Sequence, residues 1–422
     1  MSALADAPDD DFVARALAFG RDVRAGHGKI EIMPKVSVST LAEMAVAYTP
    51  GVGHVVRHVL AHPEELSRQS ARANFIVLVT DGTAVLGLGD VGPEAAIPVM
   101  EGKAVMFKAL AGLDCMPLCL ATTGIDHFCD TVAALEPSFS GVNIEDVAAP
   151  ACFEIVRRLE ARLGIPVMHD DQFGTATVVT AAMMNALRLT GRDPAGCTVV
   201  VNGVGAAGTA TIRMLEALGI GDIVAVDRRG ILEGSNDEPE HWREIAARTN
   251  RTGRRGDLAA AMTGADAFVG LSVGGIVDAG MVRRMAPDAI VLALANPEPE
   301  IEPAAALAAG AAIAASGRFD TPNHCNNVLA FPGLMRGAIE SRATRITLGM
   351  CLAAARAIAS CPDGTTPGRA ALLPSPLAHV VHAAVAEAVA TQARSEGIAR
   401  NPRQPGEVHA LTLRAAHPGS HE

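Results

Sequence analysis

Apolar positions fall into two rhythms along the chain, short unbroken runs closed by turns and longer stretches with helical spacing. FIVLVTDG at 75–82 is an apolar run ending in a turn, the pattern of a buried strand. MPLCLA (116–121), SGVNI (140–144) and IPVMH (165–169) repeat it, separated by helix-like stretches near 94–112, 126–135 and 150–163. A first helix is expected around Asp11 to Ala25. From about 175 the helical run TATVVTAAMMNALRLTG leads to Gly191 and a second series of strand-like segments: CTVVVNG, GDIVAVD, DAFVGL, AIVLALANP and AAIAASG. Helical segments follow near 334–342, 346–360 and 376–395. This alternation predicts an α/β protein of two layered domains. The division expected is 1–172 for a first α/β domain and 173–400 for a second α/β domain with a helical C-terminus, leaving 401–422, rich in Pro, Gly and His, as a fraying tail.

Length agrees, because 422 residues exceed what one core usually supports and a cleft between domains suits a small-molecule site. The chain is 49% apolar but only 3% aromatic, so Ala, Val, Leu, Ile and Met must build its core. A net charge of −11 without a Lys/Arg-rich run removes the basis for strong phosphate-backbone binding, and nucleic acid is not expected as a partner. The opening MSALADAPDDDF lacks a basic segment followed by an apolar one, and no apolar run reaches the roughly 18 residues of a membrane span. A cytoplasmic location with no membrane contact is the expectation. The eight cysteines form no C-x-x-C pair and read as buried free thiols.

Within VVVNGVGAAGTA, Gly203, Gly205 and Gly208 form G-x-G-x-x-G between an apolar strand and an Ala-rich helix, with Ala206 and Ala207 at the helix start. Such glycines allow a tight turn, close approach of a pyrophosphate and close packing of helix on sheet, and the helix N-terminus faces the phosphates. The second domain therefore reads as a doubly wound, Rossmann-type dinucleotide-binding fold. Asp227 ends the strand DIVAVD about twenty residues on, where a carboxylate can bind a ribose diol and repel a 2′-phosphate. That favours NAD, while Arg228 and Arg229 beside it keep NADP open.

Two acidic clusters stand at strand ends, Glu145 with Asp146 in GVNIEDVAAP and Asp170 with Asp171 in PVMHDDQFGTA. Carboxylate oxygens suit Mg²⁺ or Mn²⁺, although acids just ahead of helices also serve as caps. Glu145 and Asp146 can share one ion only if the strand has already ended, since neighbouring strand side chains face opposite ways. The chain has four lysines, Lys29, Lys35, Lys103 and Lys108, against 31 arginines. Lys103 lies in the otherwise apolar IPVMEGKAVMF, where burial can lower its pKa and make it a base; snorkelling to solvent is the alternative. Tyr48, the only tyrosine, sits in the turn-forming VAYTPGVG and either projects into a cleft or fills core. Asn296 in ALANPEPEI and Asn326-Asn327 in NHCNNVLAFPG fall on loops expected at the carboxyl edge of the second sheet, as ligand contacts or as turn residues.

Taken together, AYTPGVG, VTDGTAVLGLGDVGPEAAIPVMEGKA, NIEDVAAPACFEI, IPVMHDDQFGTA, VVVNGVGAAG, LANPEPEI and NNVLAFPG resemble the malic enzyme family, in particular its short bacterial form without a phosphotransacetylase-like extension, from about Lys29 to Ile358. The resemblance implies metal-dependent oxidative decarboxylation of malate to pyruvate and carbon dioxide with NAD or NADP, and a homodimer or dimer-based assembly. By matched motif it makes Tyr48 the catalytic tyrosine, Lys103 the general base held by Asp170, and Glu145, Asp146 and Asp171 the metal ligands. It makes Asn296 and Asn327 malate-binding residues, and Gly203, Gly205, Ala206, Ala207, Gly208, Asp227 and Asn296 the cofactor site. The chain departs from the family at Thr83, Ala84 and Val85, where larger members carry an arginine, at Phe173, where short forms often have histidine, and at His324, where they usually have glutamine. A malolactic enzyme, which keeps its cofactor bound and yields lactate, and a non-catalytic dinucleotide sensor are the rival readings.

Overall fold

The computed structural model describes residues 10–19, 27–85, 87–122 and 124–416. Two sheets organise it. The first has strands β1 (Phe75–Thr80), β2 (Asp114–Cys119), β3 (Gly141–Ile144) and β4 (Val167–His169), all parallel in the order β2-β1-β3-β4. The second comprises β5 (Thr198–Asn202), β6 (Asp222–Asp227), β7 (Gly230–Ile231), β8 (Ala267–Gly270), β9 (Ile290–Ala293) and β10 (Ile313–Ser316), in the order β10-β9-β8-β5-β6-β7. Its strands are parallel except β7, a two-residue antiparallel edge on β6. From β5 the chain first builds outward through β6, then crosses to β8 on the other side. That reversal opens a crevice at the carboxyl ends of β5 and β8, the place where doubly wound sheets bind ligands.

Parallel strands covered on both faces should be apolar throughout, and β3, β8, β9 and β10 are buried at every position. The helix Asp170–Thr190 starts directly at the end of β4, several residues ahead of the helical run visible in the sequence, and is buried along most of its length. One apolar cluster passes through it from Ile76 and Met168 on the first sheet to Val199 and Val201 on the second, then to Phe331, Met350 and Val385 on the C-terminal helices. The two sheets are thus joined by a shared core.

The expected tail is a correction. Residues Glu407–Ala416 form a helix packed against the helices His379–Ser395 and Gly92–Ala111. Val408 and Thr412, one turn apart, are its buried stripe, too short to stand out beside the Pro and Gly of the flanking sequence. Residues 417–422 lie outside the described residues, as do 20–25 of the expected first helix, which is described as Asp10–Ala18. Ahead of β1 the helices Leu41–Ala47 and Gly51–Ala61 contribute no buried side chain, and among the described residues none before Ile76 is buried. Among the described residues no helix is long and apolar enough to cross a membrane. All eight cysteines are free.

Candidate active site

The carboxyl edge of the first sheet gathers most of the candidate residues. β3 ends at Ile144, and Asp146 adopts a left-handed backbone at φ 52°. The strand therefore turns immediately after Glu145, which meets the condition for neighbouring acids to converge. Asp171 arrives from the first turn of the Asp170–Thr190 helix and accepts the Asp146 backbone N–H at 3.0 Å. Oxygens of Glu145, Asp146 and Asp171 lie within 4.8 Å of one another. This donor set fits a hard divalent cation: three carboxylates, oxygen only, on a rigid strand end and helix start.

Lys103, midway along the helix Gly92–Ala111, reaches into the same cluster. Its Nζ donates to Asp170 Oδ2 at 2.5 Å and pairs with Glu145 Oε1 at 2.8 Å, with the Phe331 ring centroid 4.1 Å away. Asn327 Nδ2 donates to the same Asp170 oxygen at 2.6 Å, and Asn143 Nδ2 to Glu145 Oε2 at 2.9 Å. Phe331 is itself held edge-on by Phe107, with centroids 4.7 Å apart.

Three buried carboxylates and the half-buried Asp171 around one ammonium leave a surplus of negative charge. Burial pushes the Glu145 and Asp170 carboxyls up to about 7 and Asp171 to about 6, with the Lys103 charge pulling Glu145 and Asp170 back and neighbouring carboxylates pushing all three further up. His169 supplies no countercharge, because complete burial drives its pKa down to about 3. Lys103 departs from the expectation of a lowered pKa. Burial does pull it down, but the Asp170 and Glu145 carboxylates more than reverse that and hold its proton above the ordinary lysine range.

Asn327, at the start of a short 3-10 turn, joins the cluster through Asp170. Asn296 stands exposed after β9, its amide only 3.4 Å from the Leu294 carbonyl. A side chain at Gly87 would meet the Asn296 carbonyl at 2.3 Å, so the Gly87 backbone lies against it. Tyr48 is not brought in: it caps the helix Leu41–Ala47 on the surface, 71% exposed, with no side-chain hydrogen bond among the described residues. Phe173 packs between the cores of the two sheets, an apolar setting that suits Phe. His324 is half-buried beside Phe319, and burial lowers its pKa.

On the second sheet the glycine loop joins β5 to the helix Ala206–Leu218, which Gly205 precedes as N-cap. Gly203 has φ 97°, and a Cβ on Gly208 would lie 1.8 Å from the Gly203 carbonyl, so helix and loop touch. A Cβ on Gly205 would meet nothing within 4 Å, which leaves the loop open where a pyrophosphate would approach. Asp227 closes β6, its oxygens accepting the Arg228 N–H at 2.7 Å and the Val204 N–H at 3.5 Å. Arg229 pairs with Asp237 at 2.9 Å, and Arg228 is exposed.

Three residues here escape a reading of the sequence. Asn143 had a signal, a lone polar residue within a buried strand. Phe331 had none, being one of eleven phenylalanines. Glu300 is hidden in the run PEPEIEP, yet it is wholly buried and accepts the backbone N–H groups of Ser272 at 2.9 Å and Ala295 at 3.1 Å, tying together the loops that follow β8 and β9.

Comparison with known proteins matches residues 27–160 to the family model "Malic enzyme, N-terminal domain" and 173–394 to "Malic enzyme, NAD binding domain". The chain belongs to the malic enzyme family. It is 46% identical over 391 residues to the bifunctional malic/malolactic enzyme of Bacillus subtilis, covering 92% of this chain and 95% of that protein. It is 43% identical to the NAD-dependent malic enzyme of Geobacillus stearothermophilus, covering 90% and 79%, and other relatives are named NADP-dependent. The crystal structure of malic enzyme from Pyrococcus horikoshii superposes with a TM-score of 0.89 at 38% identity, covering 96% of each chain. The family has the two-part architecture seen here, a catalytic first domain and a dinucleotide-binding second one.

Proposed function

We propose that the protein oxidises L-malate to pyruvate and carbon dioxide with reduction of NAD(P)⁺, using Lys103, Asp170 and Asn327 as proton-handling and substrate-positioning groups beside a divalent cation held by Glu145, Asp146 and Asp171. Family membership carries the reaction. The observation that supports these roles is the convergence of a buried lysine with three cation-fitting carboxylates at one strand edge.

A bound Mg²⁺ or Mn²⁺ supplies Lewis acidity to the oxygen that is hydroxyl in malate and carbonyl after oxidation. The nicotinamide ring, positioned through the glycine loop, supplies hydride acceptance. Lys103 takes the hydroxyl proton, which requires a form of the site in which its ammonium is less fully paired than here. Asp170, fixed by Asn327, keeps the Lys103 amine aimed at the reacting oxygen. Asn296 and Asn327 bind the malate carboxylates, a task that falls to amides because Thr83, Ala84 and Val85 provide no guanidinium.

Tyr48 returns a proton to carbon after decarboxylation once it is brought to the cluster. Its surroundings favour assembly as the means: Val46, Val52, Val56 and Leu60 are 43–76% exposed on the same two helices, an apolar face that a homodimer would cover. NAD is preferred to NADP because Asp227 places a carboxylate where a 2′-phosphate would sit, and Arg229 is already engaged by Asp237. A cytoplasmic site of action accords with free thiols at all eight cysteines.

The test follows the reduced-nicotinamide absorbance with L-malate and Mn²⁺, supplying NAD⁺ and NADP⁺ separately and assaying pyruvate afterwards. Metal-dependent reduction matched by pyruvate is expected, abolished by EDTA, with NAD⁺ the better substrate. Lactate without net reduction would instead assign the malolactic outcome.

A further inference from the structure

A second polar cavity lies at the opposite edge of the first sheet. Ser140 precedes β3 and Gly164 to Pro166 precede β4, so this cavity, of about 700 Å³, opens at the amino ends of the strands whose carboxyl ends carry the acidic cluster. Its other wall is Ile339, Glu340 and Arg342 at the end of the helix Phe331–Glu340, together with the loop through Arg400 and Arg403.

Five arginines line it, and they divide into two groups. Arg68 is paired with Glu65 at 2.8 Å, and Arg403 with Glu340 at 2.9 Å and Glu407 at 2.7 Å. Arg72, Arg342 and Arg400 have no carboxylate within ion-pair distance among the described residues. Arg72 donates to the carbonyls of Pro137 at 2.9 Å and Glu136 at 3.4 Å, Arg342 to Ser67 Oγ at 2.7 Å, and Arg400 to the carbonyls of Arg342 and Gly164. The remaining lining acids are Glu64, which leans to His62 at 3.5 Å, and Glu136, which accepts the Gly164 N–H at 2.8 Å. Arg72 senses the other two: burial lowers its pKa, the Glu136 charge offsets part of this, and Arg342 and Arg400 lower it further.

The end of the helix places Arg342: it takes the left-handed position at φ 48° just past the C-cap Ser341, its N–H bonded to the Ile339 carbonyl and the Ala343 N–H to the Ala338 carbonyl, each at 2.9 Å. Guanidiniums supply planar, paired donors that match phosphate and carboxylate oxygens.

We propose that this cavity binds a small metabolite bearing at least two oxyanion groups, phosphate or carboxylate, bridged between Arg72, Arg342 and Arg400 and separate from the malate site. A cavity of this size accommodates such a molecule with room for water.

Calorimetric titration of the metal-free, dinucleotide-free protein with pyrophosphate and, in a second series, citrate tests this. Arg342→Gly is the informative variant, because glycine accepts φ 48° without strain and only the Ser67 contact is lost. Saturable binding is expected for at least one probe, weakened about tenfold or more in Arg342→Gly, with the melting temperature of the variant unchanged or raised and its malate turnover without probe unchanged. Binding of pyrophosphate alone would assign a phosphorylated ligand, and of citrate alone a polycarboxylate. Absence of saturable binding by both, or equal affinity in wild type and Arg342→Gly, overturns the proposal.

Discussion

At the scale of single residues the site is governed by how many carboxylates share one lysine. Lys103→Arg keeps a cation near Asp170 and Glu145 but cannot give up its proton, so the variant should fold and bind dinucleotide while kcat falls by roughly 10²–10⁴. Comparing its melting curve and dinucleotide affinity with its turnover separates lost chemistry from lost structure. The acidic ligands make a second prediction. Burial raises Glu145 to about 7 and Asp171 to about 6 in the metal-free protein, and both must be ionised to bind a cation. Cation binding therefore releases protons, and Mn²⁺ affinity should rise with pH through the 6–7 interval and level off above it. Titrations in buffers of different ionisation enthalpy would reveal the released protons, and a flat pH profile would remove these two carboxylates from the ligand set. Residue types and their order along the chain are what made this site readable: one lysine in an apolar stretch and paired acids at strand ends. The charge state of Lys103 was not readable, because it depends on two carboxylates 42 and 67 positions away in the chain.

At the scale of elements, the glycine loop separates two functions that a motif treats as one. Gly208→Ala would drive a methyl group into the Gly203 carbonyl and should cost ~1–3 kcal/mol of stability along with dinucleotide binding. Gly205→Ala adds its methyl to open space and should change stability by less than about 1 kcal/mol while weakening the dinucleotide. Urea denaturation and fluorescence titration with NADH measure the two effects, and a Gly205→Ala variant with unaltered affinity would mean that the phosphates pass elsewhere. The strands of both sheets were visible in the sequence, since apolar runs buried on both faces admit few other readings. Among the elements missed were the Glu407–Ala416 helix, with only two buried side chains, the β7 edge of two residues, the helices Leu41–Ala47 and Gly51–Ala61, which bury no side chain, and the short helices between the strands of the second sheet. Strand order in the second sheet could not be read either, because nothing local tells β8 to cross back and lie beside β5.

For the whole molecule, the unevenness of burial is the main fact. From Ile76 onward the chain is packed around a shared core, whereas the helices ahead of it leave their apolar side chains outside. Leu60→Glu, at a side chain 76% exposed, should barely affect the folding of one chain but should dissociate the proposed homodimer, visible by sedimentation as a fall to the mass of a single chain. Turnover should fall with it, since the proposal brings Tyr48, exposed between the same two helices, to the cluster through assembly. A variant that stays assembled at full activity would place the subunit contact elsewhere.

The scarcity of lysine has a practical consequence for chemical modification. Lys103 is buried and clamped as an ammonium, so it is a poor nucleophile towards acylating reagents. Lys35 and Lys108 both approach Asp114, and Lys29 reaches the Pro98 carbonyl on the helix that carries Lys108. Amine coupling through these three side chains would attach the protein to a support through one region of its surface and leave the acidic cluster chemically untouched.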